Sequence, residues 1–106
     1  MVKNVVFYVN GWIEYDDFKL FLKFSRYLGR DEGRTRFAFD VDKLVRAIKE
    51  GEIEPSTVLD LLSSYDIVFE SGSIDDIRNV VETYMPKVVV RYRGADIVFV
   101  PNTFLG

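Results

Sequence analysis

Lys19, Lys23, Arg26, Arg30, Arg34 and Arg36 crowd six cations into residues 19–36, against Asp31 and Glu32, for a net charge of +4. Ammonium and guanidinium groups at that density suit phosphate oxygens, which they meet with charge-assisted hydrogen bonds. If residues 18–28 are helical, Lys19, Lys23, Arg26 and Arg30 recur at spacings of four, three and four and share one face. If they are extended, the tip at 30–36 presents three arginines around a turn. Either geometry leaves single-sign charge on a surface, whereas an unspecialised face mixes signs. Like charges so spaced repel by a few tenths of a kcal/mol per pair, so the pattern costs a little stability. The competing reading is an ordinary solvated face. Arg91 and Arg93 share one face of a strand, where protection of a sheet edge accounts for them. Trp12, Tyr15 and Tyr27 are aromatics that could stack on bases, or simply pack in the core.

Other chemistries find little to work with. The chain has no cysteine and no histidine, which excludes disulfides, thiolate nucleophiles and zinc–cysteine sites and removes the usual general base. Asp75-Asp76 reads as the acidic first turn of a helix. Asp16-Asp17 has no third oxygen ligand nearby in sequence, so no metal site is expected. Residues 29–33 hold Arg30, Asp31 and Glu32 between glycines and match neither GxGxxG nor a GxxxxGKS/T phosphate loop. Serines 56, 63, 64, 71 and 73 lack a histidine partner and a GxSxG elbow. No enzyme activity and no cofactor are expected.

The 106 residues make one domain, 48% hydrophobic and 29% charged, with a net charge of −3. That total hides a second asymmetry, because residues 37–85 hold four basic and eleven acidic residues. An acidic total argues against strong autonomous binding to nucleic acid, while the local basic stripe remains compatible with a weak or auxiliary contact. No apolar run approaches the roughly 20 residues of a membrane helix and no signal peptide opens the chain, so a soluble, cytoplasmic protein is expected.

The periodicities describe an α+β fold with a mostly antiparallel sheet and about three helices. Residues 5–9 are rich in β-formers, and Asn10-Gly11 before Trp12-Ile13 predicts an N-terminal hairpin. Residues 18–28 fit a helix, with Phe18, Phe21, Leu22 and Leu28 on one face, and equally a strand; 35–39 reads as a strand. Asp40 caps a helix over 41–50, where Val41, Leu44, Val45 and Ile48 fall at i, i+3, i+4 and i+7, and Gly51 takes the position after its end. Leu44 and Ile48 are expected to be buried. A second helix covers 56–64, a strand 66–70, and a third helix 74–84. Ser73 and Asp76 form a capping-box variant there, with Ile74, Ile77, Val81 and Tyr84 inward and Pro86 as terminator. Residues 87–93 and 96–100 flank Gly94-Ala95 as a hairpin.

A family resemblance adds to this reading. The run Tyr8-Val9-Asn10-Gly11-Trp12-Ile13, then Leu22-Lys23-Phe24-Ser25, Thr35-Arg36-Phe37-Ala38-Phe39, Val41-Asp42-Lys43-Leu44-Val45 and Lys49-Glu50-Gly51-Glu52-Ile53-Glu54 resemble the N-terminal, damage-recognition-like domain of archaeal XPB-type DNA helicases. The match spans residues 5–54, about half the chain, and from Pro55 onward no counterpart is evident. The resemblance implies a small α+β module that precedes ATPase lobes and contacts DNA. The family's Walker motif and DExH box do not occur here, so it implies an excised or free-standing accessory domain and no motor. The expected function is therefore a non-catalytic DNA-binding domain of a helicase or repair factor, with the six cations of residues 19–36 on phosphate. DNA and a helicase core or another protein are the expected partners. The alternative is a protein–protein interaction module that docks a basic partner on the acidic surface of residues 37–85.

Overall fold

The computed structural model describes residues 4–85, 87–92 and 96–101. Strand β1 (Val6–Asn10) leads through a short loop into helix α1 (Tyr15–Phe24), followed by β2 (Ser25–Asp31), β3 (Arg34–Phe39), α2 (Val41–Lys49), α3 (Pro55–Ser64), β4 (Asp66–Ser71), α4 (Ile74–Thr83), β5 (Lys87–Tyr92) and β6 (Asp96–Pro101). One sheet has the order β2-β3-β1-β4 with every neighbour antiparallel, and β5 and β6 form a two-stranded antiparallel pair. The α+β class expected from the sequence is the one observed, with four helices in place of about three. The predicted turn at Gly94-Ala95, Arg93 and Pro86 lie outside the described residues.

The extra helix comes from the ambiguous stretch, which is helix and strand in succession. Its helical half ends at Phe24, and Ser25, fully buried, opens β2 with extended backbone while its hydroxyl donates to the Phe21 carbonyl at 2.5 Å. Phe21 and Phe24 are fully buried within α1, whereas Arg26, Tyr27 and Leu28 lie exposed along an edge strand. Two periodicities therefore overlap in one window, and neither is wrong for its own half.

The N-terminal hairpin does not form. Gly11 takes a left-handed conformation (φ 83°), as an Asn-Gly turn requires, but its N–H donates to the carbonyl of Gly33 and the chain enters α1. Both edges of β1 are already occupied, by β3 and β4, so Trp12-Ile13 has no free edge to pair with. The acids Asp16 and Asp17 in the first turn and the inward phenylalanines favour a helix instead.

Helix α2 follows its sequence signals closely. The Asp40 carboxylate accepts the Lys43 N–H at 3.1 Å. At the far end the Gly51 N–H donates to Ile48 and the Glu52 N–H to Ala47, the paired bonds of a Schellman cap with Gly51 at φ 74°. Leu44 is fully buried, but Ile48 is only half-buried and Ala47 takes the inward place beside Leu44. On α4 the Asp76 carboxylate accepts the Ser73 N–H at 2.8 Å, the expected capping contact. Ile77 and Val81 are fully buried there, and Ile74 and Tyr84 sit half-buried on the flank.

Alternation along the strands divides the four-stranded sheet into two faces. Phe7, Val9, Thr35 and Phe37 point into a core shared with Phe21, Phe24, Leu44, Val58, Ile77 and Val81. Phe37 stacks on Phe7 and Phe21 at centroid separations of 5.5 and 5.0 Å, and Phe7 and Phe21 meet at a tilt at 6.1 Å. All four helices contribute buried residues to this core, so they lie against one face. Val6, Tyr8, Asn10, Arg34, Arg36, Ala38 and Val68 occupy the other.

Candidate nucleic-acid interface

The register of the sheet brings basic and aromatic residues together on its helix-free face. Tyr8 pairs with Arg36 on β3 and Val68 on β4, and Asn10 pairs with Arg34 and Asp66. The guanidinium of Arg34 lies 4.6 Å from the centroid of the Tyr8 ring and that of Arg36 6.0 Å from it. Cations held over an aromatic face in this way gain about 0.5–1 kcal/mol at exposed sites. The Tyr8 hydroxyl donates to Glu70 at 2.9 Å, and the Arg36 Nη2 donates to the other carboxylate oxygen at 2.7 Å. Asn10 donates to Asp66 at 3.1 Å on the same face.

This network has a direct electrostatic consequence. The hydrogen bond to Glu70 holds the Arg36 guanidinium above its ordinary pKa. Hydrogen bonds from Arg36 and Tyr8 hold the Glu70 carboxyl below the ordinary glutamate value. Both side chains are about 40% exposed, so water screens the pair and it contributes little to stability. The Arg36 Nε is buried without a hydrogen-bond partner, which leaves one donor of the fork unused by the protein.

The six cations of residues 19–36 do not share one surface. Lys19 and Lys23 lie on α1, Arg26 and Arg30 on β2, and Arg34 and Arg36 on β3. A helical stripe running from Lys19 to Arg30 is ruled out because α1 ends at Phe24, whereas the turn between β2 and β3 does gather Arg30, Arg34 and Arg36. Charge neutralisation divides them again. Lys19 is 3.4 Å from Asp16, Lys23 donates to Glu52 at 2.9 Å, and the Arg26 Nε is 3.9 Å from Asp40. The hydrogen bond from Lys23 lowers the pKa of Glu52. With Arg36 on Glu70, four of the six have a carboxylate within ion-pair distance. Among the described residues Arg30 and Arg34 have none. Arg30 donates to the Thr35 hydroxyl at 3.1 Å, and Arg34 rests on Tyr8. They flank the β2–β3 turn, on opposite sides of the hairpin by the strand alternation.

Tyr8 is the residue that reasoning about charge overlooks. Its signal is the inward alternation of Val5, Phe7 and Val9, which sends Tyr8 outward, but its place beside Arg36 follows only from the pairing of β1 with β3. No group of three or more acidic side chains among the described residues is arranged to hold a metal ion. None of the described helices is long and apolar enough to cross a membrane. No family model matches the chain, and no curated protein or solved structure matches it.

Proposed function

We propose that the chain is a non-catalytic accessory DNA-binding domain of a helicase or DNA-repair factor, and that it contacts the phosphate backbone through the β2–β3 hairpin and the adjoining sheet face. The observation that carries this reading is Arg34, which has no carboxylate partner among the described residues and lies over Tyr8 beside Arg36 on a helix-free sheet face. A guanidinium positioned by an aromatic ring and left without an internal counter-ion keeps its hydrogen-bonding fork for an external anion. Arg36 and Arg26 on the same face add positive charge, reduced by Glu70 and Asp40. The resemblance of residues 5–54 to the N-terminal domain of archaeal XPB-type helicases supports the same reading. Binding is weak, because the acidic 37–85 surface repels the same polyanion.

The test is a salt titration of duplex binding with Arg34→Ala and Arg36→Ala combined. The double variant is expected to weaken binding across unrelated sequences and to lower the salt slope by roughly one unit for each phosphate that is no longer neutralised. Absence of binding by the parent protein to any form of DNA at low salt, or equal binding by the variant, overturns the proposal. The acidic surface would then take first place as a docking site for a basic protein. Asp42, Glu54, Asp60 and Glu82 are among its carboxylates that make no ion pair with a described residue.

A further inference from the structure

Within residues 4–85 the most exposed large hydrophobic side chain is Trp12, at 80%, with Tyr15 next at 73%. Burying a tryptophan gains more than burying almost any other side chain, so its exposure needs a reason. A floppy loop is not that reason. The Gly11 N–H donates to the carbonyl of Gly33, Ile13 is buried, and the Glu14 N–H donates to the Tyr65 hydroxyl at 3.3 Å. Tyr65 in turn donates to Asp17 at 2.5 Å and so ties the loop to the first turn of α1. Both neighbours of Trp12 are anchored, and the indole is held outward between them.

The indole forms one wall of a cleft of about 260 Å³ whose other sides are Tyr15, Phe18, Tyr27, Thr35 and Arg30. Phe18 and Tyr27 meet edge to face at 5.4 Å, which fixes the floor. Arg30 is held in this cleft by its bond to Thr35 and has no carboxylate partner among the described residues. Arg34 follows on the opposite side of the same turn. An apolar, aromatic-walled slot with a free cation at its edge has the composition of a site for a stacked base with its phosphate outside. A duplex keeps its bases stacked on each other, so only an unpaired base can enter.

Resting on the function proposed above, we infer that the Trp12–Tyr27–Arg30 cleft takes one unpaired nucleobase, and that the domain prefers single-stranded DNA, or a junction carrying unpaired bases, over continuous duplex. Trp12 is the chain's one tryptophan, so its fluorescence reports on this cleft alone. The experiment titrates the full chain with a short oligothymidylate and, separately, with a blunt duplex. Oligothymidylate is expected to quench Trp12 and duplex to leave it unchanged. Trp12→Ala should lose about tenfold or more in affinity for the single strand, while Trp12→Phe retains most of it and duplex affinity stays within about twofold. Circular dichroism of both variants controls for folding, which an 80% exposed side chain should not affect.

Equal affinity of Trp12→Ala and the parent for the single strand overturns the inference. So does duplex binding that depends on Arg34 and Arg36 with no quenching by the single strand, and that result keeps the function while giving the cleft to a protein partner. Absence of binding to either form removes both proposals together.

Discussion

The two faces of the four-stranded sheet are made from alternate residues of the same strands, and they obey different energetics. Phe37 is fully buried among Phe7, Phe21 and Tyr27. Arg36, one residue earlier, sits on the opposite face in a screened ion pair with Glu70. The inner face holds the fold together by close packing, where removal of even one methylene is felt. The outer face is held by charges and rings at the surface, where each interaction contributes little to folding and the groups remain available to something else. On the function proposed above, the packing that holds the fold and the phosphate contacts of Arg34 and Arg36 lie on separate sides of one hairpin, so substitutions should separate them too.

The largest effect is expected on the inner face. Phe37→Ala should destabilise the protein by about 3–5 kcal/mol, because apolar burial is forfeited and a cavity opens among the phenylalanines, as measured by urea denaturation. A loss under about 1 kcal/mol would break the comparison at its base. Next comes the corner after β4. Gly72 has φ 74°, and a Cβ built there would lie 2.8 Å from Val5 Cγ2. Gly72→Ala should cost at least about 1–2 kcal/mol from the left-handed conformation alone, read as a lowered thermal midpoint.

The arginines without a carboxylate partner sharpen the contrast through binding. Arg30→Ala with Arg34→Ala should reduce the salt slope for DNA by roughly two units, whereas Lys19→Ala with Lys23→Ala should reduce it by well under one. The lysines already direct their charge at Asp16 and Glu52. Equal effects of the two pairs would mean that internal ion pairing does not select the DNA contacts. The stability of both double variants should stay within about 1 kcal/mol of the parent.

The smallest effect concerns Glu70. Its pKa is lower in the folded than in the unfolded chain, so its contribution is present above the ordinary glutamate range and is lost as pH falls through the lowered folded value. Denaturation at about pH 7 and about pH 3 should show the parent's advantage over Glu70→Gln shrinking with acidification. An advantage that grows at low pH would place Glu70 in a different environment.

Much of the local structure is legible in the sequence because its causes are local. The Asp40 cap, the Gly51 terminus and the Ser73–Asp76 interaction each join residues within a few positions, and the inward alternation of Val5, Phe7 and Val9 is written in adjacent residues. The six basic residues of 19–36 are equally visible as a set. What the sequence could not decide is anything that depends on who sits next to whom across the sheet. The Asn10-Gly11 turn misleads because β1 has both edges taken, one by β3 and one by β4, which is a property of strand order and not of the dipeptide. Residues 18–28 defeat a single assignment because burial of Phe21 and Phe24 against the sheet sets where the helix stops. The charge pattern is resolved the same way. Lys23 meets Glu52 29 positions away, Arg36 meets Glu70 34 away, and Tyr8 meets Glu70 62 away. Coulomb attraction and hydrogen bonding act over a few ångströms of space whatever the separation along the chain. The sequence therefore determined which residues carry charge, and only the tertiary structure decided that Arg30 and Arg34 have no carboxylate partner among the described residues.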